Sequence, residues 1–469
     1  MTEKALFEDF DFADGELERW CNYVETTDAK RRRVEEKAAA TAMLLNAKQQ
    51  YIFDYFTQKD SFAPVFVSGS AGTGKSALLM ALHEFWRRRN EIVLVAAYTN
   101  LAARNVKGKT CHSLFGFDFN LKAKCTPLPV KPRCVIIDEI SMIPAKMLDG
   151  IDRKLQQTTG EHDKPFGGVN VIVFGDLYQL PPVNKTSDAK PVYAADAWNA
   201  FRLYELTENM RQSESVFIDN LNLLRVGDLK CLKYFNSLKL KTPPRIEDQL
   251  KSTSLVSTHK EADAINRQCY EAVSANAQSR VVVSVTENAV RREHIERDAQ
   301  IFNSEQEKLI FKPELALCAG ARVMITHTTA EFCNGDLGTV ESVDEAGRTV
   351  AVRREYDDQI GTLAPITLDF YDGANGQLKR LTGLPLAYGW AVTIHKAQGM
   401  TLKNLIVYPA CVFAPGQAYV ALSRTVHSSG LKLVGFLPKR AFCNTINVDY
   451  VYKNMPKFDE RFIKVNVFQ

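Results

Sequence analysis

A glycine-rich segment that ends in lysine and serine is the part of the sequence whose spacing most directly indicates chemistry. Gly69–Ser76 reads GSAGTGKS, the full pattern of a phosphate-binding loop, and it stands between an apolar run at 64–67 and a helix predicted to start near Ala77. Its glycines let backbone N–H groups approach phosphate oxygens, and the helix N-terminus adds positive potential. A glycine-rich turn without a ligand is the alternative, but the strand, the Lys-Ser pair and the helix together favour a nucleotide site. The residues expected to bind its phosphates are Gly72, Thr73, Gly74, Lys75 and Ser76.

Two adjacent carboxylates follow a second apolar run and could complete this site. Asp138 and Glu139 come directly after residues 134–137, so we expect them at the carboxyl edge of a parallel sheet, where phosphate ligands bind. Lys75 is expected to reach the β and γ phosphates, and Ser76 and Asp138 to hold Mg²⁺. Glu139 would orient and deprotonate the attacking water. Two acids after a strand are often only the start of a loop, and it is the upstream glycine-rich loop that favours the catalytic interpretation.

Three further side chains could act on a γ phosphate. Gln179 lies in the segment 175–183, which follows another apolar run, and could sense the γ phosphate; the alternative is a simple turn before the prolines. Arg211 and Arg424 could each supply the cationic help that is worth roughly 10³ to 10⁵ in rate in phosphoryl transfer. A single arginine indicates nothing by itself.

The elements that must position these residues alternate as in an α/β protein. Short β-branched runs separated by helical segments fill 45–204, and a second region of the same kind begins near Ser254 and resumes at 389–436. This alternation predicts two lobes, each with helices on both faces of a parallel sheet. Residues 335–385 differ, because they follow an Asn-Gly turn signal and alternate at period two, which predicts a small all-β insert.

Composition limits the class of protein without choosing a partner. A chain of 469 residues is too long for one core, and its 45% apolar and 24% charged residues are ordinary for a globular protein. The net charge of +4 neither supports nor excludes a nucleic acid. Ten cysteines without zinc or redox spacing and the lack of a long apolar stretch predict an intracellular protein that does not enter a membrane. The basic run 30–33 could be a nuclear localisation signal, and the alternative is a solvent-exposed helix face. The cytoplasm or an organelle is therefore also a possible location.

Several phrases in one order resemble a known family. Residues 45–49, 110–116, 163–168 and 393–401 read LNAKQ, TCHSLFG, DKPFGG and TIHKAQGMT. Together with the nucleotide motifs, they resemble the superfamily-one DNA helicases of the 5′-to-3′ branch. The resemblance is greatest to the petite-integration-frequency (PIF) helicases, with the Dda and RecD motors as relatives, and it runs from Leu45 to about Phe436.

The resemblance implies an ATP-dependent DNA helicase that uses Mg²⁺ and moves 5′-to-3′ on single-stranded DNA. Tailed duplex DNA would be unwound, and replication or repair proteins are candidate partners. The two lobes become RecA-like lobes, and the β insert becomes SH3-like. The residues whose roles rest on this resemblance are Gln49 at the adenine, Gly399 at the nucleotide, Arg211 and Arg424 as arginine fingers, and Thr99, His112, Thr393 and His395 on the DNA.

The expected domain bounds follow from these motifs. About 17 residues, 117–133, occupy the place where family members carry the hairpin that splits the duplex, so the chain departs from the family pattern at the segment expected to separate the strands. The two chain ends match no motif. The expected segments are a helical extension at 1–44, the first lobe at 45–212, the second lobe at 213–334 and 386–438, the insert at 335–385, and a tail at 439–469.

Two other functions stay open from the sequence. An RNA helicase would use a similar backbone-tracking groove, and only contacts to the 2′-hydroxyl would distinguish it. A non-unwinding, DNA-binding replisome scaffold would be a degenerate motor, although no catalytic residue is missing here. A packaging or recombination ATPase would lack the phrase at 393–401 and the two arginines.

Overall fold

The computed structural model describes most of the chain between residues 45 and 459. The predicted extension at 1–44 and the end of the predicted tail, 460–469, lie outside the described residues. So do 119–120 and 122–125 of the segment 117–133, where a duplex-splitting hairpin, here called the wedge, is expected. The contacts between residues divide the chain into two units, one that ends at Gln50 and one that begins at Tyr51. The described ranges are 45–118, 121, 126–182, 190–211, 214–290, 301–344, 348–372, 377–414, 416–442 and 446–459.

The first lobe is built on a six-stranded sheet whose strands are all parallel. Its three central strands, Cys134–Asp138, Asn170–Gly175 and Val65–Gly69, are short and buried on both faces, which suits their β-branched and aliphatic side chains. Because parallel strands end at one edge, Gly69, Asp138 and Gly175 meet there, and the predicted α/β lobe is confirmed. The strands, in the order in which they lie side by side, are Lys109–Thr110, Val93–Ala97, Cys134–Asp138, Asn170–Gly175, Val65–Gly69 and Arg202–Leu206.

Helices cover this sheet with their apolar faces. In Ala145–Thr159, Met147, Ile151 and Leu155 are fully buried at helical spacing and pack with sheet residues such as Val171. Burial of each such side chain contributes about 1.5 to 3 kcal/mol, so Leu155→Ala would cost roughly 2 to 5 kcal/mol. The helices of this lobe are Ala47–Gln58, Lys75–Arg87, Asn100–Asn105, Cys111–Phe115 and Ala145–Thr159.

The second lobe contains a four-stranded parallel sheet. The α/β region predicted to begin near Ser254 contains strand Thr253–Val256 and helix His259–Ser274, where Thr258 and Glu261 form a capping box. The predicted second parallel-sheet lobe is therefore confirmed. Its strands in spatial order are Ala391–Thr393, Thr253–Val256, Leu405–Val407 and Leu431–Leu433. Its helices are Ser215–Arg225, Leu232–Ser237, Ile246–Leu250, His259–Ser274 and Gln417–Leu422.

Mostly antiparallel strands form a β region that extends beyond the predicted insert at 335–385, and Ile301–Asn303 pairs in parallel with Ile366–Asp372. A five-stranded sheet combines Arg322–Ile325, Leu337–Val343, Val350–Arg354, Ile360–Leu363 and Leu386–Tyr388. A four-stranded sheet combines Ile301–Asn303, Ile366–Asp372, Gln377–Gly383 and Thr286–Ala289. Val281–Ser284 pairs with Glu314–Leu317, and helix Ser304–Ile310 follows the strand at 301–303. Short exposed strands such as Thr286–Ala289 carry no apolar alternation, which is why the sequence pattern did not reveal them. The SH3-like character of the insert stays a prediction.

The described part of the predicted tail packs on the first lobe. Helix Ile446–Asn454 is followed by a short extended segment, in which Pro456 O accepts from Leu203 N at 2.8 Å and Phe458 N donates to Leu203 O at 2.8 Å. This segment therefore extends the six-stranded sheet at strand Arg202–Leu206. Within the described part of the chain, no helix combines the length and the apolar character that crossing a membrane requires.

Candidate functional site

The glycine-rich loop joins a buried strand to a helix, as its sequence predicts. Gly72 and Gly74 have φ angles of 90° and 76°, a left-handed conformation that glycine adopts without steric cost. Gly74 is the N-cap residue of the helix, so the helix begins at Lys75, two residues before the predicted start. Thr73 Oγ1 donates to Ser70 O at 2.9 Å, which closes the loop on itself.

The lysine of this loop lies among carboxylates. Lys75 Nζ donates to the carbonyl oxygens of Gly69 at 2.7 Å and Ser70 at 3.0 Å. Burial lowers the pKa of Lys75, and the carboxylates of Asp176, Glu139 and Asp138 oppose that shift. These negative neighbours favour the ammonium form, which is the form that binds phosphate.

The acid pair lies beside the loop serine. Asp138 Oδ2 accepts from Ser76 Oγ at 3.3 Å, and its Oδ1 accepts from Glu139 N at 2.9 Å. Burial and, second, the neighbouring Glu139 carboxylate raise the pKa of Asp138. Glu139 itself has a φ of 51°, an uncommon left-handed conformation for a residue with a side chain, which occurs often at functional sites.

Ser76 and Asp138 fit a magnesium ion whose other ligands are phosphate oxygens and water rather than protein side chains. Mg²⁺ is held in nucleotide sites by one or two protein oxygens, with phosphates and water as the rest. The described residues contain no cluster of three or more His, Cys, Asp or Glu side chains that could hold a metal by themselves. The oxygens of Ser76 and Asp138 would therefore be the protein's contribution.

A cavity of about 290 Å³ brings residues of both lobes together. Its walls combine backbone of the glycine-rich loop, the two carboxylates and two guanidinium groups, so it is polar and suited to a charged ligand. The sequence-predicted residues that line it are Gly72, Gly74, Lys75, Ser76, Asp138, Glu139, Gln179, Arg211, Gly399 and Arg424.

The two arginines differ in how the protein holds them. Arg424 is 3% exposed, and it donates from Nε to Val420 O at 2.8 Å and from Nη2 to Ser423 Oγ at 2.9 Å. Burial, with repulsion from Arg211, lowers the pKa of Arg424 to about 10. Arg211 Nη1 is buried and has no hydrogen-bond partner among the described residues. Arg211 is thus a cation at the cavity with bonding capacity left for a ligand.

Contacts between the lobes converge on the same cavity. Gln398 Nε2 donates to Glu139 Oε2 at 3.1 Å, and Asn105 Nδ2 donates to Gly399 O at 3.1 Å. The hydroxyl of Tyr419 accepts from Ala71 N at 2.7 Å, within the glycine-rich loop. The sequence did not single out these contacts, because a motif gives the order of residues but not the direction of their side chains.

Met210 is a further residue that the sequence did not single out. It lines the cavity beside Arg211, is 53% exposed, and donates its backbone N–H to Gly72 O at 2.7 Å. The only available signal was its place next to Arg211. Its apolar side chain offers a surface for a non-polar part of a ligand.

Gln49 lies in the first turn of helix Ala47–Gln58. Its side-chain oxygen accepts from Asn46 N at 2.9 Å, and Asn46 Oδ1 accepts from Gln49 N at 2.8 Å. The two side chains therefore cap the helix start reciprocally. The role of Gln49 at an adenine stays a prediction.

The four residues predicted to contact DNA fall into two pairs. Thr99 caps helix Asn100–Asn105 through a 3.2 Å bond from Ala102 N, and the ring of His112 lies 5.4 Å from that of Tyr98. Thr99 and His112 thus follow the neighbouring strands Val93–Ala97 and Lys109–Thr110. Their place on DNA stays a prediction.

The second pair lies in the other lobe. Thr393 is buried at the end of strand Ala391–Thr393, and the ring of His395 lies 6.4 Å from that of the exposed Phe413. Burial lowers the pKa of His395, so the neutral imidazole is favoured. None of the four predicted DNA residues is among the described residues that line the cavity.

Phe117 and Leu128, two described residues of the predicted wedge, lie against helix Ala145–Thr159. Phe117 is buried, and a Cβ added at Gly150 would come within 2.6 Å of its ring. Leu128 N donates to Thr158 Oγ1 at 2.9 Å. Whether 117–133 splits a duplex stays a prediction.

Comparison with known proteins places the chain near one group. The family model described as PIF1-like helicase matches residues 44–230. The ATP-dependent DNA helicase Pif1 of Bdellovibrio bacteriovorus is 31% identical over 400 residues, which are 80% of this chain and 85% of that protein. The human ATP-dependent DNA helicase PIF1 is 29% identical over 400 residues, which are 81% of this chain and 59% of that protein. The chain spans 60%, 62% and 61% of the length of the relatives from Emericella nidulans, Xenopus laevis and Mus musculus.

Solved structures of the same group have a similar fold. Bacteroides Pif1 bound to ssDNA superposes with a TM-score of 0.70 and 28% identity, covering 88% of this chain and 97% of that one. Pif1 helicase from Candida albicans superposes with a TM-score of 0.70 and 27% identity, covering 88% and 99%. The two-lobed architecture is therefore shared with both.

Proposed function

The chain belongs to the PIF1-like helicase family, and from this premise we propose that it is an ATP-dependent DNA helicase that moves 5′-to-3′ on single-stranded DNA. The observation that carries the proposal is the cavity in which Lys75, Asp138 and Glu139 of the first lobe meet Arg424 of the second. Such a site needs both lobes, so binding and hydrolysis there can be coupled to their relative movement.

The first lobe would bind the triphosphate. The backbone N–H groups of 72–76 and the Lys75 ammonium would hold the β and γ phosphates, and Ser76 and Asp138 would hold Mg²⁺. When bound, Mg²⁺ neutralises charge on the phosphate oxygens. Lys75 already lies among the loop carbonyls and three carboxylates, which supports this assignment.

Hydrolysis would use groups from both lobes. Glu139 would accept a proton from the attacking water, while Arg211 and Arg424 would stabilise the charge that develops on the γ phosphate. Gln179 is 4% exposed, its Oε1 has no hydrogen-bond partner among the described residues, and it lines the cavity. We therefore assign to it the sensing of the γ phosphate.

Single-stranded DNA and tailed duplex DNA are the proposed substrates, and the solved relatives include Pif1 bound to ssDNA and at forked dsDNA. Thr99, His112, Thr393 and His395 would contact the strand, mainly through phosphates rather than by sequence readout. Replication or repair proteins are the proposed partners, and the action would take place inside the cell wherever DNA is maintained.

The first experiment measures ATP hydrolysis with and without single-stranded DNA for the wild type and for Lys75→Ala. The variant is expected to lose DNA-stimulated hydrolysis while keeping its melting temperature within a few degrees. Lys230→Ala serves as the control, because Lys230 has 82% of its side chain exposed and lies outside the cavity. Undiminished hydrolysis by Lys75→Ala would refute the nucleotide site.

A second experiment addresses strand class and polarity. Unwinding is compared for DNA duplexes that carry only a 5′ or only a 3′ single-stranded tail. Stimulation of ATP hydrolysis is compared for matched DNA and RNA single strands. We expect unwinding of the 5′-tailed DNA. Unwinding of the 3′-tailed duplex alone would refute the polarity. Stronger stimulation of ATP hydrolysis by RNA than by DNA would favour an RNA helicase. ATP hydrolysis without unwinding would favour a translocase without a working wedge.

A further inference from the structure

The turn that presents Gln179 is held by residues from distant parts of the chain. Within it, Gln179 N donates to Asp176 O at 3.0 Å and Tyr178 N donates to Asp176 Oδ1 at 3.2 Å. Asp176 is fully buried, and its Oδ2 accepts from Arg225 Nε at 2.9 Å. A buried carboxylate is stable only with such a partner, so Arg225 fixes the start of the turn.

The C-terminal helix Ile446–Asn454 holds the next two residues of the turn. The hydroxyl of Tyr452 accepts from Leu177 N at 3.1 Å, and Asp449 Oδ1 accepts from the hydroxyl of Tyr178 at 2.6 Å. The rings of Tyr178 and Tyr452 are stacked, with centroids 5.1 Å apart and planes 6° apart. Each of the three residues before Gln179 is therefore fixed from outside its own loop.

The same tyrosine also contacts the strand that enters the phosphate-binding loop. The hydroxyl of Tyr452 lies 2.7 Å from Ser68 Oγ, and Ser68 directly precedes Gly69. One hydroxyl group thus bridges the two segments that carry Lys75 and Gln179. Burial raises the pKa of Tyr452, so this hydroxyl keeps its proton and can donate one bond while accepting another.

The second lobe closes the turn on its remaining side. A Cβ at Gly416 would come within 2.5 Å of Tyr178 O and 2.7 Å of Gln179 O, so the backbone before helix Gln417–Leu422 touches the turn directly. That helix carries Tyr419 and leads to Arg424. The turn cannot shift without displacing either this backbone or the C-terminal helix.

We propose that the C-terminal helix Ile446–Asn454 is a positioning element of the nucleotide site, in which Tyr452 and Asp449 hold the turn 176–178 and thereby orient Gln179. The inference rests on the proposed ATPase function and deepens it. Tyr452 and Asp449 are positioning residues, since they act through Gln179 and do not line the cavity.

The test compares Tyr452→Phe with Tyr450→Phe in steady-state ATPase assays with saturating single-stranded DNA. Tyr452→Phe removes the hydroxyl and keeps the ring, whereas Tyr450 lies on the same helix with 68% of its surface exposed and offers a matched control. We expect Tyr452→Phe to lower kcat about fivefold, the scale of one lost hydrogen bond, with KM for ATP within twofold. Tyr450→Phe should match the wild type.

Combining each substitution with Gln179→Ala distinguishes a positioning role from an effect on general stability. In Gln179→Ala, Tyr452→Phe should lower kcat no further, because the group through which it acts is gone. Asp449→Ala, which removes the oxygen that accepts from the Tyr178 hydroxyl, should repeat this pattern if Tyr452→Phe proves too unstable to assay.

Equal kcat for Tyr452→Phe and Tyr450→Phe would overturn the inference, as would an undiminished loss in the Gln179→Ala background. Both results presuppose that the wild type hydrolyses ATP and that Lys75→Ala does not. If that premise fails, it is the proposed function that fails rather than the positioning role.

Discussion

Gln398 of the second lobe donates from Nε2 to Oε2 of Glu139 in the first lobe, across 3.1 Å. Glu139 is the proposed base for the attacking water, so this hydrogen bond joins the two lobes at the reacting carboxylate. Gln398 Oε1 is buried and has no hydrogen-bond partner among the described residues. The amide therefore contacts Glu139 through its nitrogen, while its buried oxygen has no hydrogen bond to the described residues.

This contact predicts that Gln398 sets the position of Glu139. Gln398→Ala should lower DNA-stimulated kcat about fivefold, since one hydrogen bond is lost. Gln398→Glu should lower it by about tenfold or more, because two carboxylates would then face each other at close range. Steady-state ATPase assays check both, with the exposed Gln268→Glu as a control for added charge. A Gln398→Glu variant as active as Gln268→Glu would contradict the assignment.

The two arginines should respond differently to removal. Arg211→Ala and Arg424→Ala should both reduce kcat by about 10³ or more, since each supplies charge to the γ phosphate. Only Arg424→Ala should also lower the melting temperature, because Arg424 donates to Val420 O and Ser423 Oγ, while Arg211 Nη1 has no such partner among the described residues. Calorimetry beside ATPase assays tests this, and equal melting temperatures for the two variants would count against it.

The parts of the site that the sequence predicted are those that local geometry dictates. Lys75 and Ser76 belong to one strand, loop and helix, and Asp138 joins them because parallel strands end at the same edge. The two parallel-sheet lobes followed from the alternation of apolar runs in the same way.

The remaining contacts depend on residues far apart in the chain. Gln398 is 259 positions from Glu139, Tyr419 is 348 positions from Ala71, and Tyr452 is 384 positions from Ser68. No periodicity of a short segment carries such pairings, since they depend on how the lobes and the C-terminal helix pack. The limits of the β region were missed for a related reason, because strand Thr286–Ala289 pairs with the distant strand Gln377–Gly383.

An ion pair links the first lobe to the β region and should contribute to stability. Arg104 of helix Asn100–Asn105 pairs with Asp336, which is 2% exposed, and its guanidinium lies 4.3 Å from the ring centroid of Tyr356. Arg104→Ala would leave a buried carboxylate without its cation, at a cost of about 3 kcal/mol in the free energy of unfolding.

Urea unfolding of Arg104→Ala and of Arg104→Ala with Asp336→Asn checks this contribution. The double variant should recover part of the loss, because a neutral amide is less costly to bury than an unpaired carboxylate. The exposed Arg267→Ala is the control. If Arg104→Ala unfolds at the same urea concentration as Arg267→Ala, the pair contributes nothing to stability.

The lowered pKa of Lys396 should make the free energy of unfolding depend on pH. Burial, with repulsion from Lys312, lowers the pKa of Lys396 to about 8, and Asp263 opposes the shift only in part. Below pH 8 the folded protein must hold a charged, half-buried ammonium group. As the pH rises from about 8 to 10.5, the folded state releases this proton before the unfolded state does, so stability increases over that range.

Lys396→Met should therefore be more stable than the wild type near pH 7, by about 1 kcal/mol after solvent screening, or roughly 2 °C in melting temperature. The difference should shrink as the pH rises from about 8 to 10.5 and be nearly gone above pH 10.5, where both the folded and the unfolded state lose the charge. Melting curves at several pH values measure it, and other groups that titrate cancel between the two proteins. The exposed Lys403→Met should show no such trend. A difference that stays constant from pH 7 to 10.5 would mean that packing, and not the charge of Lys396, sets the stability.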